Sequence, residues 1–381
     1  MQTDYQAEIA ETSALNKELP KFAYIDAMRG IAIMGVLMVH VGQYGSSFKY
    51  LPTIIISFLN SGARGVQLFF VASALTLFMS MGRRKENESQ QLLPFFIRRF
   101  FRIAPVYYLG IIYYSLWYLI IGKQMFSLEN IVSNIFFVHG FSPSWINSLV
   151  PGGWSITVEM CFYCLVPFLF SKVKNINQAI SFLLITVLFN TLISYALKKM
   201  AVGVENDSLE SYLALYLPNQ LPVFAVGFIV YFIIDKSENV RSNIRPINLA
   251  LLAIVGYVSL SVGMPYIHIY LLYGVCFGLF AISLSKHSFK FFVNPLTIFF
   301  GKVSFSLYIV HFAVLFAMRE YHLDDYIQVN GISTALINYA LRYALVCVIG
   351  LPIAMLVHRW IETPCQSAGK ALINRITPVR T

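Results

Sequence analysis

Ten stretches of this chain are apolar over lengths that suit a bilayer crossing. They lie near residues 24–43, 62–81, 103–122, 154–171, 176–197, 217–235, 247–263, 266–285, 297–319 and 336–360. About 20 apolar residues in a helix match the hydrocarbon thickness of a membrane, so each run predicts a transmembrane helix. The runs 247–263 and 266–285 are separated only by Met264 and Pro265. Segment 128–140 is apolar but short, and reads as a re-entrant or interfacial piece. Residues 1–20 are polar, with Asp4, Glu8, Glu11 and Glu18, and no short apolar core follows a basic start. The expectation is a retained first span rather than a cleaved leader. The pattern therefore predicts an all-α, polytopic membrane protein of about ten transmembrane helices. A single membrane domain, 23–362, stands between two tails, 1–22 and 363–381.

Composition agrees. Hydrophobic residues make up 57% and charged residues 12% of the 381 residues. Soluble domains carry about 25% charged residues, and half that density cannot cover a globule of this size. The net charge of +10 does not point to nucleic acid, because the cations sit in connectors between apolar runs. With the N-terminus inside and ten spans, 21 Lys and Arg fall on the inner side and seven on the outer. The positive-inside rule then places both termini in the cytoplasm. Five cysteines form no framework. Cys161 and Cys164 lie within an apolar run and read as packing residues, and no metal-ligand spacing appears.

Charge inside a span is expensive, so it marks either a function or a structural pair. The first run holds Asp26, Arg29 and His40. At 100° per residue Arg29 and His40 are about 20° apart and separated by roughly 16 Å of rise, with Asp26 on the same stripe. Arg98, Arg99 and Arg102 cluster before the third run, where guanidinium forks suit phosphate or anchor the chain to anionic lipid. Ser155 and Glu159 share one helix face, as do Ser304, Tyr308 and His311. Glu159 reads as either paired with a cation or itself a proton-handling group, and the second set as interhelical hydrogen bonding or part of a polar path. In depth, the arginines fall towards the inner side, and His40, Glu159 and His311 fall in the middle-to-outer part. Asp324 and Asp325 read as solvated loop charges.

In this order, these segments resemble the acyltransferase-3 family of membrane acyltransferases, which includes O-acetylases of bacterial O-antigens and exopolysaccharides. Its Arg-(ten residues)-His pattern matches Arg29 and His40. Its Arg-x-x-Arg matches Arg99 and Arg102. Its Trp-Ser and following Glu match Trp154, Ser155 and Glu159. Its late Gly-x-x-Ser with Tyr and His matches Gly301, Ser304, Tyr308 and His311. Its closing Ile-Glu-x-Pro matches Ile361, Glu362 and Pro364. The resemblance runs from about residue 22 to 366. One departure is FFVASA, with Ala74 where the family usually has Gly. It is not expected to touch the acid–base groups.

The resemblance implies a multi-pass protein of the bacterial cytoplasmic (inner) membrane with no permanently bound cofactor and no metal. It implies acetyl-CoA, or another acyl-CoA, as donor and a hydroxyl of a carbohydrate or lipid-linked glycan as acceptor. Arg29, Arg98, Arg99 and Arg102 would receive the phosphates of the donor. His40 would act as general base with Glu159 orienting it, or would carry the acyl group covalently. Asp26, Trp154, Ser155, Ser304, Tyr308 and His311 would support the path. Two other classes also place ionisable groups in spans: a secondary transporter and a lipid-linked-sugar glycosyltransferase. The first commonly carries inverted repeats, which the sequence does not show. The second leans on outer-loop carboxylates, for which Asp324 and Asp325 are the candidates.

Overall fold

A computed structural model of the chain describes residues 22–85, 92–122, 125–200, 206–236, 246–261 and 269–376. The expected N-terminal tail, up to residue 21, lies outside these residues. So do the middle of the 83–102 connector, the junction of the seventh and eighth runs, and the last five residues of the C-terminal tail.

All regular structure among the described residues is helical. The helices are α1 (Ala23–Gly42), α2 (Thr53–Ser61), α3 (Gly65–Lys85), α4 (Leu92–Ile120), α5 (Leu128–Ile135), α6 (Gly153–Lys172), α7 (Ile176–Met200), α8 (Asn206–Leu215), α9 (Leu217–Lys236), α10 (Pro246–Ser261), α11 (Ile269–Lys286), α12 (Pro295–Lys302), α13 (Ser304–Glu320), α14 (Ile332–Val357) and α15 (Thr363–Ile376). Eight continuous helical stretches are long and apolar enough to cross a membrane, and α12 with α13 makes a ninth as a bent pair. The remaining expected run corresponds to α10, whose 16 residues span about 24 Å. The protein is an all-α, polytopic membrane protein. The short 128–140 segment forms α5 and a single 3-10 turn, His139–Phe141.

One expectation needs correction. The run 297–319 is not one straight span: α12 and α13 meet at an angle of 77°. The cause is the crossing of α12 over α1. A Cβ on Gly301 would lie 1.8 Å from the Asp26 carbonyl oxygen, and one on Gly30 would lie 1.9 Å from that of Thr297. The two backbones touch, as small residues permit in membrane helix pairs. Asn294 and Thr297 close a capping box under Pro295 at the other end of α12. The short helix is thus fixed at both ends and turns only after Lys302. Gly301→Leu has no space to relax into, because the atoms it meets are backbone. The expected loss is about 3 kcal/mol or more, read as a lower unfolding temperature and reduced folded yield in detergent.

The C-terminal tail adds contacts that the sequence does not show. Through Ile376 it is a helix, entered through a π-helical turn, His358–Glu362. Gly369 of α15 lies against Phe101 of α4. Glu362, almost fully buried, accepts hydrogen bonds from Ser306 Oγ (2.7 Å) and Gln366 Nε2 (3.2 Å), and its Oε2 is 3.0 Å from His358 Nδ1. Ser306 is in the first turn of α13. The closing Ile-Glu-x-Pro motif therefore anchors the start of the helix that carries Tyr308 and His311. π turns tend to persist where they place such a group.

The core is centred on α1, which has Ala27, Met28, Ile33, Val36 and Leu37 wholly buried. It packs against α3, α12, α13 and α14, so the Asp26–Arg29–His40 stripe faces other helices over much of its length.

Candidate active site

A narrow cavity opens between α1, α3, α4, α6 and α13, with a free volume of about 60 Å³. Arg29, Arg99 and Arg102 line it, together with Ser73, Thr76, Ser155, Glu159, Tyr163, Ser304 and Tyr308. Three guanidiniums face a single carboxylate, so this cavity favours an anion. Arg29 is held on two sides: Nη1 lies 3.4 Å from Asp26 Oδ1, and Nη2 donates to Thr76 Oγ1 at 3.2 Å. The Arg99 guanidinium lies 5.8 Å from the ring centroids of both Phe95 and Tyr163, within cation–π range. Arg98 is not part of the lining.

Glu159 Oε1 accepts from Ser73 Oγ at 2.7 Å and from Tyr163 OH at 2.5 Å. Its expected contact with His40 is absent, because the carboxylate points into the arginine cavity. Ser73 and Tyr163 were not legible as site residues. Ser73 belongs to FFVASA, so this segment does reach a proposed acid–base group, although Ala74 itself does not. At the departure, a Cβ on Gly227 of α9 would lie 2.6 Å from Ala74 Cβ. The small residue at this contact is supplied by the facing helix.

The cavity ends at a knot of hydroxyls. Ser155 Oγ and Tyr308 OH are 2.9 Å apart, and both lie within donating distance of Gly152 O, at 3.0 and 2.9 Å. Gly152 has φ +76°, and a Cβ there would come within 2.6 Å of Tyr308 OH. Here a left-handed backbone without a side chain is what lets Tyr308 reach the carbonyl. Trp154 packs edge-on to Phe70, with centroids 6.2 Å apart, and does not line the cavity.

Beyond Tyr308 lies a histidine pair that spacing could not reveal. His40 Nδ1 is 3.0 Å from His311 Nε2, and His311 Nδ1 is 3.2 Å from Leu307 O. Phe312 packs on both rings, with centroid distances of 4.4 and 4.1 Å. Leu307 O can only accept, so His311 Nδ1 carries a hydrogen. In neutral rings His311 Nε2 is then the acceptor, and His40 Nδ1 must donate to it. This leaves His40 Nε2 with a free lone pair. His311 is fully buried, while His40 keeps partial exposure. Neither ring lines the arginine cavity. The Tyr308 ring, 5.8 Å from that of His311, stands between.

No group of three His, Cys, Asp or Glu that could hold a metal ion occurs among the described residues. Asp325 is not a free loop charge: it accepts from Ser46 N and Oγ and pairs with Arg342.

Comparison with known proteins gives the family. The chain is 25% identical over 387 aligned residues to a Staphylococcus aureus (strain COL) protein named "Putative O-acetyltransferase", covering 92% of this chain and 58% of the relative. It is 24% identical over 379 residues to the O-acetyltransferase OatA of S. aureus (strain NCTC 8325), covering 91% of this chain and 57% of that protein. The chain thus spans less than three-fifths of the length of these relatives. No solved structure gives a significant match. The sequence profile of a family described as an acyltransferase domain matches residues 22–359, nearly the whole of the helical bundle, and the chain belongs to the acyltransferase-3 family.

Proposed function

We propose that the protein is an O-acetyltransferase that moves an acetyl group from acetyl-CoA to a hydroxyl of a cell-surface carbohydrate, such as an O-antigen or exopolysaccharide unit on a lipid carrier. It would work in a bacterial cytoplasmic membrane with both termini in the cytoplasm. The arginine cavity then opens towards the cytosol, where a donor bearing several phosphates arrives, and His40 faces the outer half.

The observation that carries this reading is the chain His40–His311–Leu307 O. It presents one unprotonated imidazole nitrogen, His40 Nε2, in an apolar bundle, which is the form a general base requires. In the direct route His40 Nε2 takes the proton of the acceptor hydroxyl as its oxygen attacks the thioester carbon. The tetrahedral intermediate expels the CoA thiolate, and the proton passes from the imidazolium to sulfur. Glu159, bound to Ser73 and Tyr163 beside the arginines, belongs to the donor end and tempers its charge. In the covalent route the same nitrogen attacks the thioester carbon and the CoA thiolate leaves, giving acyl-His40; the acceptor oxygen then takes the acyl group, the imidazole departs neutral, and the hydroxyl proton completes the CoA thiol.

The test is acetyl transfer by protein purified into lipid nanodiscs. Free CoA thiol and O-acetyl groups on a membrane glycan fraction should appear in equal amounts, with slow thiol release when glycan is withheld. A protein that moves a solute without consuming acetyl-CoA would overturn the reading in favour of a transporter. Growth of a glycan chain without ester formation would favour a glycosyltransferase.

A further inference from the structure

The outer half of α1 is held from behind by three side chains of α14. Tyr343 OH donates to Met34 O at 3.1 Å, and Tyr339 OH donates to Met38 O at 2.9 Å. Arg342 Nε donates to Val41 O at 3.2 Å. The three carbonyl residues are spaced four and three apart, so they form a strip on one face of α1. At 100° per residue the centre of that strip lies roughly 130° round the helix from His40. The strip faces α14, and His40 faces α13.

Arg342 does more than its neighbours. It is completely buried, and its other nitrogens reach Ser47 Oγ at 2.9 Å, Asp325 Oδ1 at 3.2 Å and the Asp324 carbonyl. Asp325 in turn accepts from Ser46 N and Oγ at 2.9 and 2.6 Å. One guanidinium thus joins the end of α1, the turn that follows it and the loop between α13 and α14. Val41 O is among the last four carbonyls of α1 and otherwise has only a long bond from Tyr44 N, at 3.4 Å; a cation there also meets the negative end of the helix dipole. A buried charge with four acceptors is costly to assemble and costly to disturb. A hydrophobic residue would seal the same space. What hydrophobic packing would not do is fix the rotation of α1 about its axis.

We infer that Tyr339, Arg342 and Tyr343 are positioning residues that set the rotation of α1 and thereby hold His40 against His311. The inference rests on the reading of His40 as the reacting base. A side-chain tip stands about 5–6 Å from the helix axis, so a 10° rotation moves it by about 1 Å. Displacement of that size at a reacting group costs up to about 10²-fold in rate. The same rotation lengthens the 3.0 Å His40–His311 bond and releases His40 to exchange its ring proton between nitrogens.

The experiment uses the full-length protein in nanodiscs and the double variant Tyr339→Phe/Tyr343→Phe, which deletes two hydroxyls and no shape. The expected result is an unfolding temperature and a KM for acetyl-CoA close to wild type, with kcat lowered roughly 10–100-fold. In ¹⁵N spectra of histidine-labelled protein, the His40 signal should change from a single Nδ1–H form to an exchanging pair. Arg342→Lys keeps the charge but loses the fork, and should shift kcat and the spectrum in the same direction. Wild-type kcat with an unchanged His40 spectrum in the double variant overturns the inference. So does a matched fall in unfolding temperature and kcat with the spectrum unchanged, which marks a purely structural role. If the wild type transfers no acyl group, the functional reading fails, and the ¹⁵N comparison still decides whether α14 holds His40.

Discussion

Replacing His40 by Ala lowers acyl transfer by about 10³-fold or more, while acetyl-CoA still binds. The imidazole is separated from the arginine cavity by Tyr308, so its removal leaves Arg29, Arg99 and Arg102 where they are. Rate and donor affinity therefore part company in this variant. The measurement is single-turnover transfer at saturating donor, alongside equilibrium binding of a non-hydrolysable acetyl-CoA analogue. A His40→Ala protein with near-native turnover would remove the base from the mechanism, in both its direct and its covalent form. His311→Phe should be milder. It keeps the ring volume beside Phe312 but removes the acceptor of the His40 Nδ1 hydrogen. His40 is then free to place its hydrogen on the reacting nitrogen for part of the time, and a loss of about 10-fold to 100-fold is expected, smaller than that of His40→Ala.

Substitution of Arg102 or Arg99 by Ala acts on the other end. Each removes a charge-assisted contact worth about 1.5–3 kcal/mol, so the KM for acetyl-CoA should rise roughly 10-fold to 100-fold, with a smaller change in kcat. The effect should weaken as ionic strength rises, since part of the attraction is screened. A donor lacking one phosphate should lose affinity for the wild type and lose less for the variant whose guanidinium met that phosphate. Lys at either position is a poor substitute where the contact is a two-pronged fork. Unchanged KM in both alanine variants would place the donor elsewhere. Arg29 is less suited to this test, because its loss also takes the cationic partner from Asp26.

The sequence made the bundle legible because bilayer thickness imposes a length on every span, and length is visible in a string of residues. It made the Arg29–His40 stripe legible because helical phase is arithmetic. It did not reveal the bend after Lys302. Hydropathy is the same on either side of a bend, and the cause lies in the contact of Gly301 with the Asp26 backbone, 275 positions away. His311 could be set on a face with Ser304 and Tyr308, but its pairing with His40 spans 271 residues and leaves no local trace. Depth and the family resemblance together make Glu159 a partner of His40, and neither contains the direction of its side chain. Rotation about α6 decides the matter, and it turns the carboxylate towards Ser73 and Tyr163. Arg342 was counted as one more charge on the outer side, because a buried arginine that binds carbonyls looks, in sequence, like an interfacial one.

The hydroxyl knot at Gly152, Ser155 and Tyr308 has a consequence for the cell as well as for the reaction. A charged cavity on one side and an imidazole on the other make the two halves of a wire. Joined by water, they would let protons leak across a membrane whose potential the cell must keep. Here the three groups satisfy one another over distances of 2.9–3.0 Å, and neither histidine ring lines the space on the arginine side. In the proposed reading Ser155 and Tyr308 are thus the partition between the donor end and the base. An acyl group handed from one end to the other would have to displace that contact and fill its place, so that the passage would conduct its cargo and no current.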